Sequence, residues 1–228
     1  FMNELLSRMV NDPFEFILEL CNITKMVQGD PVIMKRASVY IASTLKLKGT
    51  LRSITKHSWG LQPDAQKDYV RDTIIDNLFY DESTVRKESA NSLAQIAYLY
   101  QSNGQWDNFY DWIFECTESQ NPLQVEGAIE LLKEIPHAKR HPTLYDLPGR
   151  VFMLVYHQLC NEVSQESFSN LLEMLRDYTQ LFSISKENEE VVDLMFKSLL
   201  SILSQVTDPY DYQVLNTLEC ILKFGYKI

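Results

Sequence analysis

The stretch from Asp81 to Gln101 constrains this chain more than any other. An acidic, hydroxyl-rich turn opens it, and Ser83 or Thr84 is expected to accept hydrogen bonds from the first free N–H groups of a helix. Val85, Ser89, Leu93, Ile96 and Tyr100 then recur at spacings of three and four. They draw an apolar stripe along one face of a helix of about five turns. Ala90, Ala94 and Ala97 are small enough to let a neighbouring backbone come close. A lone helix cannot bury such a stripe, so the rest of the chain must supply partners of the same kind.

Turn signals divide the chain into such partners. Asn11-Asp12-Pro13 starts a helix that runs to about Met26, with Phe14, Ile17, Leu18, Cys21 and Val27 on its apolar face. Gly29-Asp30-Pro31 resets the chain, and the next helix, 31–48, turns Ala37, Tyr40, Ile41 and Leu45 inward. Residues 49–62, which include Lys56-His57-Ser58-Trp59, read as a longer connection. Pro63-Asp64-Ala65 opens a helix to about Phe79 with Tyr69, Val70, Ile74 and Leu78 on its face. Beyond Gln101, Trp106 starts a helix to Glu118 carrying Phe109, Trp112, Ile113 and Cys116, and Asn121-Pro122 starts another to Ile135. Pro136 to Pro142 is a basic, proline-bounded loop, followed by helices over 144–161, 165–182, 187–205 and 210–226.

The second members of these pairs begin near 31, 82, 122, 165 and 210, at spacings of about 51, 40, 43 and 45 residues. A period in that range, with short turns alternating with longer connections, is the pattern of HEAT-type repeats. The expected fold is all-α: one HEAT-repeat superhelical solenoid over 1–228, built of about five stacked antiparallel helix pairs. An irregular all-α bundle is the alternative, and it has no reason to keep a period. Asn103-Gly104 is the only Asn-Gly or Asp-Gly pair, too little punctuation for a strand-rich chain. Because the chain opens at Phe1 near the end of a helix, further sequence is expected to precede it.

Charge narrows the partners. The net charge is −10, yet residues 1–60 carry eight Lys/Arg against five Asp/Glu, and residues 61–228 carry thirteen against twenty-six. Such an acidic balance disfavours nucleic acid, which needs cations to neutralise phosphate, and suits a basic protein. No apolar run is long enough to span a membrane, so no membrane contact is expected. Cys21, Cys116, Cys160 and Cys220 lie far apart within apolar patterns and form no CxxC, which reads as buried reduced thiols.

No chemistry gathers along the chain. His137 and His141 are four apart, but the flanking prolines place them in a loop without a metalloprotease Glu. His57 and His157 have no evident partner. Glu187, Glu189 and Glu190 cluster where a helix is expected to start, and there they suit its dipole. Phosphate-binding glycine loops and nucleophile elbows are missing. No catalysis, metal or cofactor is expected. Trp106, Phe109, Tyr110 and Trp112 would make either a docking platform or, at helical spacing, plain core.

Several of these pieces resemble one family. Val85-Arg86-Lys87-Glu88-Ser89-Ala90, continued by Leu93-Ala94-Gln95-Ile96-Ala97, is similar to the second helix of an importin-β (karyopherin-β) repeat. Pro31-Val32-Ile33-Met34-Lys35-Arg36-Ala37 resembles the earlier second helix, and Lys56-His57-Ser58-Trp59 the connection that follows it. Asn103-Gly104-Gln105-Trp106 resembles the stretch before the next repeat. The likeness is clearest over 31–136 and closest to the branch that imports ribosomal proteins and core histones. Asp107 replaces the family's proline after Trp106, and Gln124-Val125-Glu126-Gly127 lacks its arginine.

The resemblance implies a monomeric nuclear transport receptor shuttling between cytoplasm and nucleus through the nuclear pore. Its implied partners are Ran-GTP, basic protein cargo such as ribosomal proteins or histones, and FG-repeat nucleoporins. Lys87, Asn91 and Gln95 stand at i, i+4 and i+8 opposite the apolar stripe, and Lys35, with Ser38, holds a similar place on the earlier helix. Lys35, Lys87, Asn91 and Gln95 are therefore expected to line the concave GTPase- and cargo-binding surface. A HEAT-repeat scaffold or adaptor without a GTPase partner is the alternative reading.

Overall fold

The computed structural model describes residues 2–27, 29–46, 50–101, 106, 108–137 and 147–159, with single helical positions between 171 and 219. The protein is all-α: every regular element among the described residues is a helix. Two compact units divide the chain, Phe1–Ala138 and Lys139–Ile228. No helix among the described residues is long and apolar enough to cross a membrane.

In the first unit a repeated grammar starts the helices. Asp12, Asp30 and Asn121 each precede a proline in the first turn, and each side chain accepts from a free backbone N–H. Asp30 takes two, from Val32 at 3.0 Å and Ile33 at 3.2 Å. The resulting helices are α1 (Met2–Asn11), α2 (Pro13–Met26), α3 (Pro31–Leu45), α4 (Thr50–Gly60), α5 (Asp64–Leu78), α6 (Ser83–Gln101), α7 (Phe109–Thr117) and α8 (Pro122–Glu134). Gly29, at φ +113°, turns the chain between α2 and α3 in a conformation that side chains rarely adopt.

Three hairpins organise this unit: α2 with α3, α5 with α6, and α7 with α8. Helix α6 packs against α3, α5 and α8, while α2 lies against α5. Small residues make that central position possible. Ala90, Ala94 and Ala97 of α6, Ala37 and Ala42 of α3, and Gly127 and Ala128 of α8 are all buried. At Gly127 the approach is so close that an added Cβ would meet the Leu78 carbonyl oxygen at 2.5 Å. The cap of α6 is neither Ser83 nor Thr84. Glu82 accepts from Val85 N–H at 2.8 Å, its longer side chain reaching back over the first turn.

The connection expected over 49–62 contains a helix, α4, packed against α1, α2 and α3. Leu51, Thr55 and Trp59 recur every four residues, a helical period that runs through the Lys56–Trp59 motif. Trp59 is buried edge-on between Phe14 of α2 (ring centroids 5.2 Å apart) and Tyr100 of α6 (6.0 Å). The aromatic chain continues from Tyr100 to Trp106 (5.9 Å) and from Trp106 to Phe109 of α7 (4.7 Å).

Trp106 itself stands outside α7, which starts at Phe109, and its φ is +94°. A bulky residue in that region carries backbone strain of about 1–3 kcal/mol. Ring contacts and the Arg71 guanidinium, 5.5 Å from its centroid, offset the strain. Tyr69, expected on the apolar face of α5, is exposed instead, and its hydroxyl bonds the Asn22 side chain of α2 at 2.8 Å. Phe109 and Ile113 are core as expected, whereas Trp112 and Tyr110 are half-buried.

The second unit contains α9 (Leu147–Leu159), which buries Leu147, Val151, Phe152 and Val155. Leu171, Met174 and Tyr178 are buried helical positions three and four apart, a helical stripe within the expected 165–182 helix. Apart from single helical positions, the helices expected over 187–205 and 210–226 lie outside the described residues, as do His141, Glu187, Glu189, Glu190, Cys160 and Cys220.

Candidate protein-binding surface

The second helices of the three hairpins are neighbours, with α6 between α3 and α8. Little of α6 is therefore left open. Every residue from Ser89 to Ala94 is buried, and the outward line consists of Thr84, Lys87, Glu88, Gln95 and Tyr98. These positions follow the 3.6-residue period, so the open arc is a narrow strip rather than a full polar face.

Lys35 of α3 and Lys87 of α6 stand exposed on two adjacent helices, and neither makes an ion pair among the described residues. Asn91 belongs to the same line by helical period but is not an exposed contact. It is only 6% exposed, and its Oδ1 has no hydrogen-bond partner among the described residues. Its short amide, at mid-helix between two flanking helices, does not reach past them as a lysine can. Ser38 is buried in the same way, with its Oγ unpartnered. Gln95 is half-buried and lines a small groove with Leu45, Arg52, Thr55, Lys56, Tyr98 and Leu99. The four expected surface residues thus separate into two exposed lysines, one buried amide and one groove residue.

Arg86 does structural work that its place in a motif did not reveal. Its guanidinium donates to the carbonyls of Tyr80 (2.9 Å) and Asp81 (2.6 Å), closing the α5–α6 turn. It also pairs with Glu126 of α8 at 2.5 Å, so one side chain ties a hairpin to the next.

Arg71 of α5 plays a similar part elsewhere. It pairs with Asp68 and Asp72 at 2.8 Å and lies over the rings of Tyr100 and Trp106. Tyr100 donates to Asp68 at 3.2 Å, and burial, reinforced by the Asp68 charge, raises its phenol above the usual range. Burial also pushes the Cys21 thiol up to about 12, a poor nucleophile, and raises that of half-buried Cys116. No group of three or more His, Cys, Asp or Glu among the described residues is placed to hold a metal ion.

No protein-family model, curated protein or solved structure matches this chain.

Proposed function

We propose that the chain is part of a nuclear transport receptor of the importin-β type, a HEAT-repeat solenoid binding Ran-GTP, basic protein cargo and FG nucleoporins. The observation that carries the solenoid in this reading is the order of packing. Second helix α6 adjoins both α3 and α8, and first helix α2 adjoins α5. A stack of repeats requires such neighbours, and an irregular bundle has no need of them. The likeness of 31–136 to importin-β repeats, and the acidic balance beyond residue 60, support the same reading. On it, Lys35 and Lys87 contact the GTPase, and Gln95 stands at the margin of that surface. Asn91, buried, is not part of that surface.

The test is capture of the full chain on immobilised Ran, loaded with GDP or with a non-hydrolysable GTP analogue. The expected result is binding that depends on the GTP analogue and weakens by about tenfold or more when Lys35→Glu and Lys87→Glu are combined, with the circular dichroism unchanged. Equal or absent binding to the two forms overturns this reading in favour of a HEAT-repeat scaffold without a GTPase partner. The same packing order would serve that scaffold equally well.

A further inference from the structure

We propose that the groove between α3, α4 and α6 is a docking site for an acidic segment of a partner protein. The argument begins with where acids are missing. Between Asp30 and Asp64 the sequence has no Asp or Glu, yet it carries Lys35, Arg36, Lys46, Lys48, Arg52 and Lys56. In a chain of net charge −10, that run is a sharp local reversal of sign.

Packing then separates paired cations from unpaired ones. Arg8, Lys25, Lys67, Arg71, Arg86 and Lys133 each hold a carboxylate. Lys46, Arg52 and Lys56 make no ion pair among the described residues.

Arg52 and Lys56 are also placed against their own electrostatics. Arg52 lies in the first turn of α4, where the positive end of the helix dipole opposes a cation. Lys56 follows four residues later on the same face, where like charges repel. Both line the groove, together with Gln95 and the apolar Leu45 and Leu99, and none of its lining residues is acidic. Incoming carboxylates would relieve both repulsions at once, and Gln95 offers an amide N–H beside them. With room for only about 10 Å³, roughly one water, the groove is a shallow dimple and not a small-molecule pocket. A docked segment would lie across it and set its carboxylates on the cations that line it, Arg52 and Lys56.

Nucleic acid fits less well. The Arg52 guanidinium already lies over the Tyr98 ring, 5.0 Å from its centroid, so that face is closed to base stacking. A polyphosphate running beyond the patch would meet the acidic remainder of the chain, whereas a short acidic segment ends where the patch does.

The experiment measures anisotropy of fluorescein-labelled oligoglutamate of about ten residues with the full chain at low salt, beside oligolysine and single-stranded DNA of equal length. Oligoglutamate should bind, and added salt should weaken it. Arg52→Glu with Lys56→Glu should weaken it by about tenfold or more, and the milder Arg52→Gln with Lys56→Gln by several-fold. Lys25→Glu with Lys197→Glu makes the same change in net charge at two other exposed sites and should shift binding by less than about twofold. Failure of oligoglutamate to bind, an equal loss in that control, or tighter binding of the DNA would each overturn the proposal. If the glutamate variant loses helicity, the glutamine variant decides alone, and unchanged binding by it is likewise fatal to the proposal. None of these outcomes depends on whether the chain binds a GTPase.

Discussion

Gly127→Ala should destabilise the first unit although alanine is the better helix former. The added methyl would stand 2.5 Å from the Leu78 carbonyl oxygen, 2.9 Å from Phe79 Cδ1 and 3.1 Å from Leu78 Cγ, where ordinary contact begins at 3.4 Å. The first of these atoms is backbone at the end of α5, so no rotamer change clears it. Either α8 or the α5–α6 turn must retreat by nearly an ångström, loosening the seam around Ala128 and Leu131. Overpacking of this kind costs about 1–3 kcal/mol, and a blocked carbonyl argues for the upper part of that range. Gaining alanine's helix propensity returns about 1 kcal/mol. The net expectation is a loss of about 1–2 kcal/mol, a fall of several degrees in Tm.

Urea unfolding followed by tryptophan fluorescence suits the measurement, because Trp59, Trp106 and Trp112 all belong to the first unit. Gly60→Ala provides the opposing control. Nothing lies within 4 Å of a Cβ built at that position, so stability should hold or rise by up to about 1 kcal/mol. Equal or greater stability of Gly127→Ala, with an unchanged denaturant slope, would refute the close approach of α8 to the α5–α6 turn.

Other perturbations probe different contacts. Arg86→Ala removes a charged donor from two carbonyls and from Glu126, and should cost about 2 kcal/mol in urea unfolding. Glu126→Gln, which alters only the half-exposed ion pair, should cost less than about 1 kcal/mol. Trp59→Ala empties the site between Phe14 and Tyr100, with an expected loss of about 3–5 kcal/mol by circular dichroism melts. Because Cys21 keeps its proton up to about pH 12 in the folded chain and ionises near 9 when unfolded, the native state binds more protons between these values. Stability should therefore fall as pH rises through that window, and Cys21→Ala should flatten the slope. A slope unchanged by Cys21→Ala would place the titrating group elsewhere.

Helix existence was legible wherever a cap, a proline and an apolar period coincided, as at Asp30-Pro31 and Asn121-Pro122. Local signals of that kind survive in any tertiary context. Helix α4 has an apolar period but no acidic or hydroxyl cap before a proline, so its residues read as a loop. Trp106 looks like the first residue of the α7 stripe, yet the helix starts at Phe109 and the Trp106 ring is held by partners remote in sequence, Arg71 among them. Lys35 and Lys87 could be placed on the surface from period alone. The burial of Asn91 could not, since it depends on α6 having a neighbour on each side. The groove at Arg52 and Lys56 required knowing that α4 is a helix packed against α3, with Gln95 of α6 lining the same groove.

The central place of α6 has a consequence for motion and assembly. Its unbroken buried run from Ser89 to Ala94 can exchange amide hydrogens only when α3 or α8 lets go, so those amides should exchange at the rate of whole-unit opening. The α2–α3, α5–α6 and α7–α8 turns close locally and fast, but α6 meets α3 across about fifty residues of chain. Docking of the α2–α3 and α7–α8 hairpins on either side of α6 is therefore the slow event of refolding, and the α6 seam is the last to be released on unfolding.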